Sequence, residues 1–237
     1  LALYLVFLIY TLVMKGVKAS LPEIAALDYY LVNKVTFAFG LVVFVYMMKL
    51  YKVCGLNRRI NWRTLPLYWP MLLFALLSVM ASSGEVTALV LIKIAVFSLA
   101  VGIAEEIMFR GLVFYWFASL SLRKKVLISG VAFGAMHLFG LMSEAPAAVI
   151  LAQVFFASGV GIIFGYARAR DYSILLPIMI HALFDFVAIG SKGGVSESFA
   201  NAAQIIPGLL IGGLVTWIWG GYLLWKNKPF SQFETVN

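Results

Sequence analysis

The chain has 237 residues, of which 63% are hydrophobic and only 12% charged, with a mean hydropathy of +1.00. That is more apolar surface than one soluble core of this length can bury, so lipid must cover the remainder and a soluble globular class is excluded. The net charge of +8 lies in clusters between apolar runs; the positive-inside rule accounts for it better than a nucleic-acid surface does, and no nucleic-acid partner is expected.

The apolar runs are continuous rather than alternating, which argues for helices and against a β-barrel. In chain order they predict eight spans at roughly 1–14, 29–48, 65–82, 86–118, 126–142, 146–167, 173–190 and 205–225. The chain is thus expected to be an all-α, multi-pass transmembrane bundle, one membrane domain over 1–237. It opens on Leu1, and the first span reads as truncated. No internal repeat or low-complexity tract is present. Cys54 is the single cysteine, which excludes an intrachain disulfide and a thiolate metal cluster.

The loop 49–63 carries Lys49, Lys52, Arg58, Arg59 and Arg63 and no acid, so it is assigned to the cytoplasm. Alternation puts Arg123, Lys124 and Lys125, then Arg168 and Arg170, then Lys226 and Lys228, on the same side, with Glu85 and Glu144 opposite. Both termini are then cytoplasmic, and Lys15 and Lys18 are exceptions to the rule. The longest external loop is 191–204. Trp62, Trp69, Trp217, Trp219 and Trp225 are expected to anchor span ends at the interface.

From Glu85 to Arg123 a straight helix would run about 57 Å, nearly twice the hydrocarbon thickness of roughly 30 Å. It must bend or break, and Gly102 and Gly111 are the expected places. Of the ten acids, Glu23, Asp28, Glu85, Glu144, Asp171, Glu197 and Glu234 fall in loops or the tail. Glu105, Glu106 and Asp185 fall inside spans, as do both histidines, His137 and His181. Each such group costs about 2.5 to 3.5 kcal/mol at mid-membrane on insertion scales, so five of them point to function. His137 lies about 18 Å of helix past Lys125 and His181 about 17 Å past Arg170, so both fall near mid-membrane.

Spacing predicts partners. Glu106 and Arg110 are at i, i+4 with the acid first and can pair, while Glu105 points about 100° away, free to face a cavity as a general base. His181 and Asp185 share a face, and Pro177 is expected to free the carbonyl of Ser173 and tilt the helix. Phe109, Phe133 and Phe184 read as core packing, and Lys93 as a snorkelling residue. The bland alternatives are a structural Glu106–Arg110 staple and histidines that only bridge helices. The joint occurrence on three spans favours a site.

The segments "EEIMFR" (Glu105, Glu106, Arg110), "FGAMH" (Phe133, His137) and "HALFD" (His181, Asp185) resemble the three motifs of the CPBP intramembrane proteases. That family includes the CAAX endopeptidase and bacterial relatives linked to bacteriocin processing and self-immunity, and is often labelled metalloprotease. The likeness covers about 86–190. It implies peptide hydrolysis in which Glu105, helped by His137, activates water. His181 and Asp185 would stabilise the oxyanion or orient the groups that do, and Glu106 with Arg110 would hold the helix and tune Glu105. Where Asp185 stands the CAAX endopeptidase has asparagine. Glu105, His137, His181 and Asp185 also form an N/O set that could bind zinc. The substrate implied is a peptide or protein near the bilayer, prenylated or not. The compact loops are similar to those of prokaryotic members, which places the chain in a prokaryotic cell membrane. The residues by themselves reach only a buried polar site; a non-proteolytic immunity protein and a proton-coupled transporter with a Glu/His relay stay open.

Overall fold

The computed structural model describes residues 2–20, 26–82, 86–142, 145–171, 173–192 and 205–226. It is all helical among these residues, in a polytopic bundle. The chain runs through α1 (Ala2–Ser20), α2 (Ala26–Met47), a 3-10 stretch (Trp62–Tyr68) leading into α3 (Trp69–Met80), and α4 (Ala88–Glu106). A π turn (Ile107–Leu112) then joins α4 to a last short turn, α5 (Val113–Trp116). There follow α6 (Leu122–Met136) with a 3-10 extension (His137–Met142), α7 (Ala147–Asp171), α8 (Leu175–Gly190) and α9 (Ile206–Lys226).

Six helical segments among the described residues are long and apolar enough to cross a membrane, against the eight spans expected. α1 is not among the six, and α8 has 16 residues, about 24 Å of helix, short of a hydrocarbon layer. The loops around Glu85 and Glu144, most of 191–204, and Glu23, Glu197, Lys228 and Glu234 lie outside the described residues.

α7 is the axis, with 61% of its apolar window buried against 39% or less in the other five segments. α6 and α9 flank it, α8 packs on α4 and α3, and α2 packs on α4. Phe39, Leu76, Ile92, Leu151 and Ile218 point outward and are exposed, the apolar girdle a lipid-facing surface requires. α6 and α7 meet at small residues: a Cβ on Gly161 would lie 2.7 Å from the Gly130 Cα, and one on Gly130 would lie 2.7 Å from the Ile162 nitrogen. Backbone touches backbone there, as in other small-residue helix contacts in membranes.

Several local expectations are corrected. The long helix runs on through the π turn, which contains Gly111, and ends at Trp116, short of Arg123. Gly102 and Gly111 serve close packing instead: their Cβ positions fall 3.0 Å from the Ile178 carbonyl oxygen and 2.8 Å from the Cys54 Sγ. Pro177 sits in the first turn of α8, where the missing N–H would have had no helical acceptor, so it causes no tilt. Lys93 does not snorkel; its Nζ lies 2.6 Å from the carboxylate of Asp28, which belongs to α2 rather than a loop. Trp217 and Trp219 turn inward, donating at 2.9 Å to the carbonyls of Phe155 and Leu67, whereas Trp62, Trp69 and Trp225 are exposed near helix ends. Lys15 reaches the carbonyl of Met142 at 2.9 Å, so α1 ends beside the 3-10 extension of α6.

The basic loop after α2 is docked rather than free. Arg168 donates to the carbonyl of Val53 at 3.0 Å, the Asn61 N–H donates to Asp171 at 3.0 Å, and Ser173 donates to the carbonyl of Arg58 at 3.3 Å. Arg168 and Asp171, expected in a loop, are buried in the last turn of α7. Cys54 is covered completely, and burial pushes its thiol up to about 11, with Arg168 only partly opposing.

Cys54 should therefore ignore a thiol-reactive dye at neutral pH until the fold opens, which makes it a built-in reporter of unfolding. Gly161→Val should lower the thermal midpoint read by that dye, costing about 1–3 kcal/mol or more because backbone cannot give way as a side chain can. An unchanged midpoint would show that α6 and α7 do not meet at these glycines.

Candidate active site

Glu105 and Glu106 are the last residues of α4, and they diverge as adjacent helical positions must. Glu106 turns inward with no exposed surface, and its Oε1 accepts from Arg110 at 3.0 Å. Arg110 lies in the π turn and is also fully buried. Its second amino group donates to the carbonyl of Gly161 at 3.3 Å, and its guanidinium lies 4.5 Å from the Phe133 ring centre and 5.2 Å from that of Phe164. Two aromatic faces and one carboxylate thus replace the water an arginine would keep. The glycine contact between α6 and α7 brings the Gly161 carbonyl within reach.

His181, from the middle of α8, joins the same carboxylate: its Nδ1 is 2.9 Å from Glu106 Oε1. That geometry makes Nδ1 the donor and turns Nε2 toward Glu105 Oε2 at 3.8 Å and Asp185 Oδ2 at 3.6 Å. His137 closes α6 where the helix tightens into the 3-10 extension. Its Nδ1 faces the carbonyl of Phe133 at 3.2 Å, so that nitrogen carries the proton and Nε2 is the basic one. Phe133 stands between the two imidazoles, 5.5 Å from His137 and 5.7 Å from His181, centre to centre.

All six expected residues therefore converge, with one distinction. Glu105, Glu106, Arg110, His181 and Asp185 are linked by distances of 3.8 Å or less. His137 packs on the Phe133 ring and acts on Glu105 through its charge. Phe133 is core packing, as expected, and a wall of the site as well.

Three contributors escaped sequence reading. Lys34 of α2 reaches Glu105 Oε1 at 3.4 Å; as a lysine inside the expected span 29–48, it satisfied the same test that singled out the acids. Phe164, 5.9 Å from His181 as well as covering Arg110, had no signal beyond its place in an apolar run. The Tyr68 hydroxyl is buried with no hydrogen-bond partner among the described residues and packs edge-on against Phe164.

Residues 86–187 match the family model described as type II CAAX prenyl endopeptidase, Rce1-like. That segment is similar to that family of proteases. No curated protein and no solved structure matches the chain. The Rce1-like segment contains the whole carboxylate–histidine cluster, whereas Lys34 and Tyr68 come from outside it.

The described residues show no preformed metal site. Among the described residues no three His, Cys, Asp or Glu side chains are gathered as a ligand set. The Lys34 ammonium lies against one Glu105 oxygen, and the His181 Nδ1 is taken by Glu106. A divalent ion would have to displace the first and compete with its charge.

Arg110→Ala should leave Glu106 buried without its main counter-charge and cost about 3–5 kcal/mol, read as early exposure of Cys54 to dye and poor accumulation in membranes. The paired change Glu106→Gln with Arg110→Met should recover a good part of that loss. A stable Arg110→Ala protein would show that the pair does not hold the fold.

Proposed function

We propose that this protein is an intramembrane endopeptidase in which Glu105 activates water for hydrolysis of a peptide bond in a membrane-associated protein or peptide. The observation that supports this reading most is the division of labour between adjacent carboxylates. Glu106 is buried and committed to Arg110 and His181, while Glu105 keeps an oxygen facing His181 at the partly open edge of the cluster. A general base needs an unshared lone pair and a fixed orientation, and Glu105 has both.

In the proposed reaction Glu105 removes a proton from water as its oxygen bonds to the scissile carbonyl carbon. The carbonyl electrons move onto oxygen and form a tetrahedral oxyanion. Glu105 then delivers the proton to the amide nitrogen, the C–N bond breaks, and a carboxylate and an amine are released. The basic Nε2 of His137 helps hold the attacking water, and a doubly protonated His181 offers its Nε2–H, otherwise shared with Asp185, to the developing oxyanion. Asp185 orients His181 through Nε2. No step passes through a metal ion.

The CAAX prenyl endopeptidase description of the family makes a prenylated C-terminal segment one candidate substrate. An unmodified peptide undergoing maturation, in a prokaryotic cell membrane, is the other, and the short described loops favour it. One membrane domain, with its catalytic core at about 86–190, carries the activity.

Glu105→Gln should lower cleavage by at least about 10²- to 10⁴-fold while Cys54 stays protected. The measurement is a comparison of peptide termini in membranes and medium from cells carrying either form at matched levels. Equal terminus patterns would reject the peptidase reading and favour immunity or transport. Asp185→Asn should retain cleavage, because the amide oxygen can still face His181 Nε2. Dialysis against a strong chelator, with metal content measured on the same sample, should leave the rate unchanged. Loss of activity restored by zinc would move water activation to an ion.

A further inference from the structure

We propose that Lys34 is a positioning residue for Glu105, so that α2, outside the Rce1-like segment, completes the active site; this rests on the peptidase reading above. The Lys34 ammonium contacts Oε1 of Glu105, at 3.4 Å, and Oε2 faces His181 at 3.8 Å. The two oxygens thereby become unequal. One is held by a cation and the other is presented to the reaction, whereas a carboxylate free to rotate would spend time with neither aimed correctly.

The fold supports this contact on both sides. Ala38, one turn after Lys34, is buried with Ala100 and Ala104 of α4, and such small side chains let two helices approach closely in a membrane. Toward the other end of α2, Lys93 of α4 pairs with Asp28 at 2.6 Å. One ion pair runs from an acid on α2 to a base on α4 and the other from a base on α2 to an acid on α4, so a shifted register would bring like charges together. Arg110 and His181 cannot replace Lys34. Arg110 is enclosed around Glu106, and His181 is tethered to Glu106 through Nδ1.

The test compares wild type, Lys34→Met, Lys34→Arg and Glu105→Gln, purified in one detergent, with the substrate recovered from the terminus comparison above. Cys54 protection sets each sample to equal folded protein. Lys34→Met is expected to lower kcat about 10- to 100-fold, with KM within a factor of about two. Lys34→Arg should regain most of the loss. A parallel loss of kcat and Cys54 protection, with the remaining folded fraction fully active, would make Lys34 structural and overturn the proposal. So would a Lys34→Met protein of unchanged kcat when Glu105→Gln is inactive. Activity in Glu105→Gln itself would reject the peptidase reading, and the role of Lys34 with it. Should Lys34→Met not fold, Lys34→Gln carries the same comparison.

Discussion

Glu106 Oε1 is the point through which the site is held. It accepts from Arg110 at 3.0 Å and faces His181 Nδ1 at 2.9 Å, so one oxygen joins α4, the π turn and α8. In an apolar bundle this carries a penalty as well as a gain. Unpaired, either charge would be left without water, and the cost of separating them is larger than the net worth of forming the pair. The aromatic faces of Phe133 and Phe164 and the Gly161 carbonyl make the arrangement tolerable for Arg110. The close contact of α6 and α7, the short reach of α8 and the path of α4 all serve that one enclosure.

Irregular helix geometry at two places aims the side chains. The π turn at Ile107–Leu112 widens the backbone and leaves the Arg110 carbonyl able to accept from Arg168 Nε at 3.2 Å. Arg168 is also bonded to the Val53 carbonyl, so the docked basic loop and the buried ion pair share a residue at one remove. At the other place α6 tightens into a 3-10 turn at His137. That turn keeps the imidazole on the Phe133 side of the bundle, where a continued α-helix would carry the chain on past the cluster. π and 3-10 segments are costly in regular helices and often mark functional positions, and here each carries a polar residue of the site.

The membrane class and the polar cluster were legible because both rest on rules with few exceptions: long apolar runs need lipid, and ionisable groups within them need partners. The i, i+4 spacing likewise gave the Glu106–Arg110 pair, since neighbours one turn apart touch whatever the tertiary fold. Contacts between helices were not legible. Trp217 and Trp219 have the composition of interfacial anchors, yet they bond to α7 and to the stretch before α3, and no pattern within one helix records what faces it. Gly102 and Gly111 looked like hinges for the same reason; what they accommodate is a carbonyl of α8 and a thiol of the loop after α2. The count of spans differs at α8, whose 16 residues fall just below the length that the expected span 173–190 implied.

The charges in the cluster explain why an element outside the matched segment takes part. Glu105, Glu106 and Asp185 bring three carboxylates together, and within the matched residues only Arg110 is a permanent counter-charge among them. A low-dielectric site with that imbalance repels its own parts, and the repulsion between Glu105 and Glu106 at adjacent positions cannot be relieved by moving them apart. Lys34 supplies a further positive charge from α2. A cluster whose charges nearly balance costs less to bury than one with a net charge, and Lys34 brings that balance closer.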